Sequence, residues 1–221
     1  MIRIRQIKIS VEKDNLHQLK KKASIILNCS ETDIKTISIS KKSLDARKKP
    51  NIFYIYEVDV DVKNEEHLLK KHQLNKDIFV TPEEKYIYPK IGNKKLKHRP
   101  IIIGSGPSGL FCAYLLAELG YKPIIIERGE KIEERVKSVE NFWKTGLLNT
   151  NSNVQFGEGG AGTFSDGKLN TLVKDKSFRM KKVFEIFVAS GADKEILYTN
   201  NPHIGTNVLR KVIINLRKKI I

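Results

Sequence analysis

Pro100-Ile-Ile-Ile-Gly-Ser-Gly-Pro-Ser-Gly-Leu110 decides how the second half of this 221-residue chain is read. Its isoleucines predict a short strand buried on both faces of a parallel sheet, with proline tolerated at the first position. The loop Gly104-Ser105-Gly106-Pro107-Ser108-Gly109 fits G-x-G-x-x-G. It stands directly after that strand and directly before an apolar helix, Pro107 to Leu119, which Gly120 closes. Each glycine has a separate task. Gly104 permits the tight turn, Gly106 lets a pyrophosphate approach bare backbone, and Gly109 lets the helix pack closely on the strand. The helix N-terminus offers free N–H groups and a partial positive charge to an anion. Pro123 to Glu127 predicts a second strand, with residues 110–126 separating its terminal carboxylate from Gly109. That carboxylate can accept both hydroxyls of an adenosine ribose and would repel a 2′-phosphate. The stretch therefore predicts an α/β, Rossmann-like βαβ unit for the ADP half of FAD or NAD. Pro107 and the residues after Glu127 tilt the choice toward FAD.

Upstream, Ile2, Ile4, Ile7 and Ile9 alternate with Arg3, Arg5 and Lys8, as a strand with a slip at Gln6. Residues 14–28 carry Leu16, Leu19, Ala23, Ile26 and Leu27 at helical spacing, with Asp14 as the expected N-cap. Alternation returns over 34–44 and 53–62, around a basic hairpin-like loop at 45–51, and residues 64–74 predict a second helix. This order implies a small ferredoxin-like α+β domain over 1–75. Residues 76–99 read as a basic linker by composition. Residues 100–221 are then the FAD-binding Rossmann-like domain.

Downstream, residues 151–171 hold glycines 157, 159, 160, 162 and 167 among Ser, Asn, Thr and Gln, with Phe156 and Phe164 interleaved. A flexible surface loop is one reading. The other is a backbone concavity that receives an anion near the phosphates.

The net charge is +16, with 23 basic against 13 acidic residues in 1–99 and 18 against 12 in 100–221. Most basic residues are lysines, as on a solvated surface, and no RNP-like aromatic signature, GXXG clamp or zinc knuckle accompanies them. Nucleic acid is therefore an unfavoured partner, although Lys41, Lys42, Lys48 and Lys49 keep a basic nucleic-acid-binding or adaptor module among the alternatives. Cys29 and Cys112 have no metal-ligand or redox spacing, so neither a metal site nor a disulfide is expected. No apolar run approaches the roughly 18 residues of a membrane span. The N-terminus lacks the apolar core of a signal peptide, so a cytoplasmic location is expected.

Leu44-Asp-Ala-Arg-Lys-Lys49, Gly104 to Phe111, Glu127-Arg-Gly129, Phe142-Trp-Lys-Thr-Gly146, Ser152 to Asn170 and Pro202-His-Ile-Gly-Thr206 together resemble the FAD-dependent dehydrogenases called NAD(FAD)-utilising dehydrogenases. The resemblance runs along nearly the whole chain. It implies FAD as cofactor, NAD(P)H as transient electron donor, and an α+β domain before the glycine-rich loop. It places Glu158, Gly159, Gly160, Ala161, Gly162 and Thr163 against the pyrophosphate or flavin, beside Gly104 to Gly109, Glu127 and Arg128. Such proteins are about twice as long, so a C-terminal segment completing the flavin site is expected to be missing. The chain stops at residues 217–221, which read as the start of a strand after a helix N-capped by Thr206. The small-molecule substrate stays open, as does a Rossmann protein that binds NAD without flavin.

No catalytic residue stands out, because a flavin itself performs the redox work. His203 reads as a loop histidine rather than a general acid. Glu158 and Asp166 could exchange protons only if buried. Asp45 and Arg47 read as an ion pair holding the hairpin.

Overall fold

The structure is a computed structural model that describes residues 1–169, 171 and 173–221. Asn170, the last residue of the stretch 152–170, and Leu172 lie outside the described residues.

The chain divides into two units. The first comprises Met1–Glu84 and Leu197–Asn200. Its elements are β1 (Ile2–Ser10), α1 (Leu16–Leu27), β2 (Ile34–Lys48), β3 (Asn51–Val62), α2 (Glu65–Lys71) and β4 (Ile78–Val80). The sheet runs β2-β3-β1-β4, and every neighbouring pair is antiparallel. The slip at Gln6 is present: register shifts between Ile4 and Ile7, and Gln6 takes φ 60°. The extra residue keeps Ile2, Ile4, Ile7 and Ile9 on one buried face with Val58, Val60 and the α1 residues Leu19, Ala23 and Leu27.

Three local expectations change. Asn15, not Asp14, caps α1, accepting from the Gln18 N–H at 2.9 Å. The Asp14 carboxylate instead accepts from Tyr56 Oη at 2.6 Å and Lys42 Nζ at 2.9 Å. Asp45 pairs with Phe53 and Lys48 with Asn51, so most of the expected loop at 45–51 is strand. Ile78–Val80, inside the stretch expected to be linker, pairs with β1 and buries Ile78.

The second unit comprises Lys85–Ile196 and Asn201–Ile221. It holds β5 (Ile101–Ile103), α3 (Pro107–Glu118), β6 (Ile124–Ile126), α4 (Ile132–Thr145), α5 (Arg179–Ala189) and α6 (Thr206–Ile220). β5 and β6 pair in parallel. The expectation of burial on both faces fails: Ile101 is 62% exposed, Ile103 77%, Ile124 38% and Ile126 51%. Alternate side chains face opposite ways. Ile102 lies beneath Gly109 of α3, while among the described residues no element covers the face bearing Ile101 and Ile103. The core of this unit is helical, built from Leu110, Ile132, Ile186, Phe187, Val212, Ile213 and Leu216. The expected terminal strand at 217–221 is also corrected, because α6 continues through Ile220. Val212, Ile213 and Leu216 continue its apolar face, so helical packing decides those residues. Gly205, not Thr206, occupies the N-cap position, and Thr206 Oγ1 donates to the Ser165 carbonyl at 3.0 Å. No described helix is long and apolar enough to cross a membrane.

Candidate nucleotide site

The bend after β5 has the form its glycines require. Gly104 takes φ +91°, a left-handed conformation that a side chain would strain. A Cβ on Gly109 would stand 2.0 Å from the Gly104 carbonyl oxygen, so helix and strand approach as closely as bare backbone permits. A Cβ on Gly106 would meet nothing within 4 Å: the side on which a ligand would approach is open. Gly106 precedes Pro107 at the start of α3, and Pro at that position sacrifices no helical hydrogen bond. Pro107 and Ser108 are exposed, whereas Ser105 is buried.

Glu127 is tied to this bend. Its Oε2 accepts from Ser105 N–H at 2.6 Å and Ser105 Oγ at 2.9 Å, and its Oε1 accepts from Gly129 N–H at 2.8 Å. Burial pushes this carboxyl up, but the donors at Ser105, Gly129 and Arg128 outweigh it and hold it below its ordinary value. Most of its roughly four lone-pair positions are therefore used within the protein. Less capacity remains than for the two sugar hydroxyls predicted from the sequence. Arg128 is exposed, its guanidinium 4.6 Å from the Phe156 ring centre.

The second glycine cluster folds against the first. The Gly159 N–H donates to the Ser105 carbonyl at 2.9 Å. A Cβ on Gly160 would stand 2.9 Å from Pro107 Cδ and 3.5 Å from Gly106 Cα. Gly157, Gly159 and Gly160 all take positive φ. Ala161 and Gly162 are exposed. Thr163 is buried, and its hydroxyl has no partner among the described residues, so it belongs to the wall rather than to the open side.

Glu158 is buried, but two donors occupy it. Oε2 accepts from the Ile132 N–H at the start of α4 and from Arg217 Nη1, both at 2.8 Å. Burial raises its carboxyl above the ordinary value, against the pull of these donors. The pairing makes Glu158 an anchor between α4 and α6 rather than a free acid. A cavity of about 820 Å³ opens among Ser105, Leu110, Glu127, Gly129, Glu158 and Arg217. That volume falls within the range of small-molecule and cofactor sites.

Sequence reasoning missed Arg135. It is fully buried on α4, and its guanidinium donates to the carbonyls of Asn153, Val154, Gly157, Glu158 and Gly160 at 2.6–3.3 Å. The available signal was its position between Ile132 and Val139 at helical spacing, a cation on the apolar stripe of an amphipathic helix.

The remaining candidates are structural. His203 Nε2 lies 2.5 Å from the Asp166 carbonyl, and an isolated antiparallel bridge around them pairs Leu169 N–H with Pro202 O and Ile204 N–H with Gly167 O. Asp166 is exposed and pairs with Lys168 at 2.8 Å. In the first unit, Asp45 pairs with Arg47 at 2.8 Å. Among the described residues no cluster of His, Cys, Asp and Glu could hold a metal.

Comparison with known proteins agrees with this geometry. The family described as an NAD(P)-binding Rossmann-like domain matches residues 102–165, and a domain of unknown function (DUF8436) matches residues 1–61. The Rossmann-like match thus takes in the parallel β5–α3–β6 unit and the second glycine cluster. An uncharacterized protein of Clostridium beijerinckii is 45% identical over 219 residues, 99% of this chain and 40% of that protein. The chain thus spans less than half of that relative's length. The L-amino acid oxidase of Cerastes cerastes is 29% identical over 94 residues, 41% of this chain and 18% of the oxidase.

Proposed function

We propose that this chain carries the dinucleotide-binding part of an FAD-dependent oxidoreductase. The observation that carries this reading is the docking of two glycine-rich loops: Gly159 N–H on the Ser105 carbonyl, and Gly160 against Gly106 and Pro107. The similarity to an L-amino acid oxidase and the matched NAD(P)-binding description support a redox nucleotide.

The residues present fit an ADP moiety. The open side of Gly106 and the N-terminus of α3 would hold the diphosphate, with Ala161 and Gly162 exposed on the neighbouring loop. Glu127 would accept from a ribose hydroxyl while its other contacts keep Ser105 and Gly129 in place. FAD would supply hydride acceptance from a donor such as NAD(P)H; the chain binds, orients and shields. The first unit, with its βαββαβ order, is proposed as a ferredoxin-like domain. Further polypeptide, as in the longer relative, would cover the exposed isoleucines and complete the flavin side.

The test is mass spectrometry and visible absorption of what purifies with the protein. FAD in the parental protein and its loss in Gly106→Val, whose branched side chain would fill the open side of the bend, are expected. Bound NAD with no flavin would replace this reading by a nicotinamide-binding one. Stoichiometric FAD retained by Gly106→Val would overturn the assignment of the loop.

A further inference from the structure

We infer that Arg135 is the positioning residue of the nucleotide site, aiming the backbone of the second glycine-rich loop at the diphosphate; this rests on the nucleotide reading of that site. The argument starts from peptide geometry. In a trans peptide the C=O and the N–H of the next residue point in opposite directions. Arg135 Nη1 binds the carbonyls of Glu158 at 2.6 Å and Gly160 at 2.9 Å. The N–H groups of Gly159 and Ala161 are thereby turned away from the guanidinium. The first of these reaches the Ser105 carbonyl, which fixes the two loops together. The second belongs to an exposed residue, and among the described residues it has no partner. It follows Gly160, which lies against Gly106 and Pro107, so its peptide borders the start of α3.

The space beneath the loop is built for this side chain. A Cβ on Gly157 would stand 2.6 Å from Arg135 Cδ, and the guanidinium lies 4.7 Å from the Phe164 ring centre. Arg210 sits 4.6 Å from the centre of the same ring but, among the described residues, donates to none of the loop carbonyls. The planar fork of arginine can serve several carbonyls at once, whereas a lysine ammonium cannot match them. Every hydrogen bond found for Arg135 ends on a neutral carbonyl, so its charge also remains available to favour an anion on the far side of the loop.

The experiment uses the 221-residue protein with ADP and adenosine as probes, comparing Arg135→Lys with Arg210→Lys. ADP affinity is expected to fall at least tenfold in Arg135→Lys, with adenosine affinity within twofold of the parental value and Arg210→Lys unaffected. An equal loss for ADP and adenosine, or an ADP affinity within twofold of parental, would overturn the assignment. Should Arg135→Lys not fold, amide hydrogen exchange in the parental protein decides. Saturating ADP should slow exchange at Ala161, and an unaltered Ala161 overturns the inference. ADP binding without FAD binding would end the flavin reading and leave this one standing, whereas no ADP binding at all would end both.

Discussion

Among the described residues each unit buries one arginine, and the two are treated oppositely. Arg3 in β1 is 4% exposed and meets carboxylates: Asp59 binds it through two hydrogen bonds, 2.7 and 2.9 Å, with Glu57 and Glu84 nearby. Arg135 in α4 is 0% exposed and, among the described residues, hydrogen-bonds only to backbone carbonyls. The acidic partners of Arg3 lift its guanidinium further above its already high value. Burial pulls Arg135 below its ordinary value, while the more distant charges of Glu127 and Glu158 partly resist. The difference teaches what each unit is made to hold. In the first, a neutralised charge locks strands that already share a closed isoleucine and valine core. In the second, a charge without a directly bonded carboxylate organises a loop with no regular structure, beside the proposed nucleotide site.

The contrast predicts unequal costs. Arg135→Met would orphan five carbonyls, each buried acceptor worth about 1–3 kcal/mol, so a loss of at least about 3 kcal/mol is expected in the second unit. Denaturant unfolding followed by Trp143, the single tryptophan, reads this unit. Arg3→Met should cost less, about 1–3 kcal/mol, because Thr81 Oγ1 still donates to Asp59 and the carboxylates keep partial access to water. Amide exchange at Val58 reads that unit. Equal losses would erase the comparison.

Gly109→Ala ranks next. Its methyl would press on the Gly104 carbonyl, at about 1–3 kcal/mol, and should displace nucleotide with it. Unchanged stability and nucleotide affinity would show that α3 and β5 can separate freely.

Glu127 gives a smaller, pH-dependent effect. Its folded value lies below its ordinary 4.5, so its contribution is fully present above that pH. The contribution is lost as pH falls through the lowered folded value. Glu127→Gln should flatten the acid side of the stability curve followed by Trp143. A variant curve parallel to the parental one between neutral pH and acid would remove Glu127 from the bend. The smallest effect is expected from Arg47→Ala: the Asp45–Arg47 pair is solvent-facing, and thermal unfolding should not change measurably.

Periodicity and glycine spacing alone determined the strand–loop–helix–strand order of 100–127, the alternating strands and helix of the first unit, and the bulge at Gln6. These are local quantities: side-chain alternation, helical repeat and the backbone freedom of Gly104 act within a few residues. Tertiary packing decided the rest. Asp14 lost the cap to Asn15 because Tyr56 and Lys42, remote in sequence, claimed its carboxylate. Glu127 spent most of its acceptors on Ser105 and Gly129 rather than keeping two for a sugar. Residues 217–220 stayed helical because Leu216 completes an apolar face against other helices, and Arg217 is held by Glu133 and Glu158. Arg135 was legible only as an oddity on a helix stripe; its carbonyl partners come from a loop whose path no periodicity describes. A buried charge takes whatever acceptors folding brings within reach, and that choice is made across the chain, not along it.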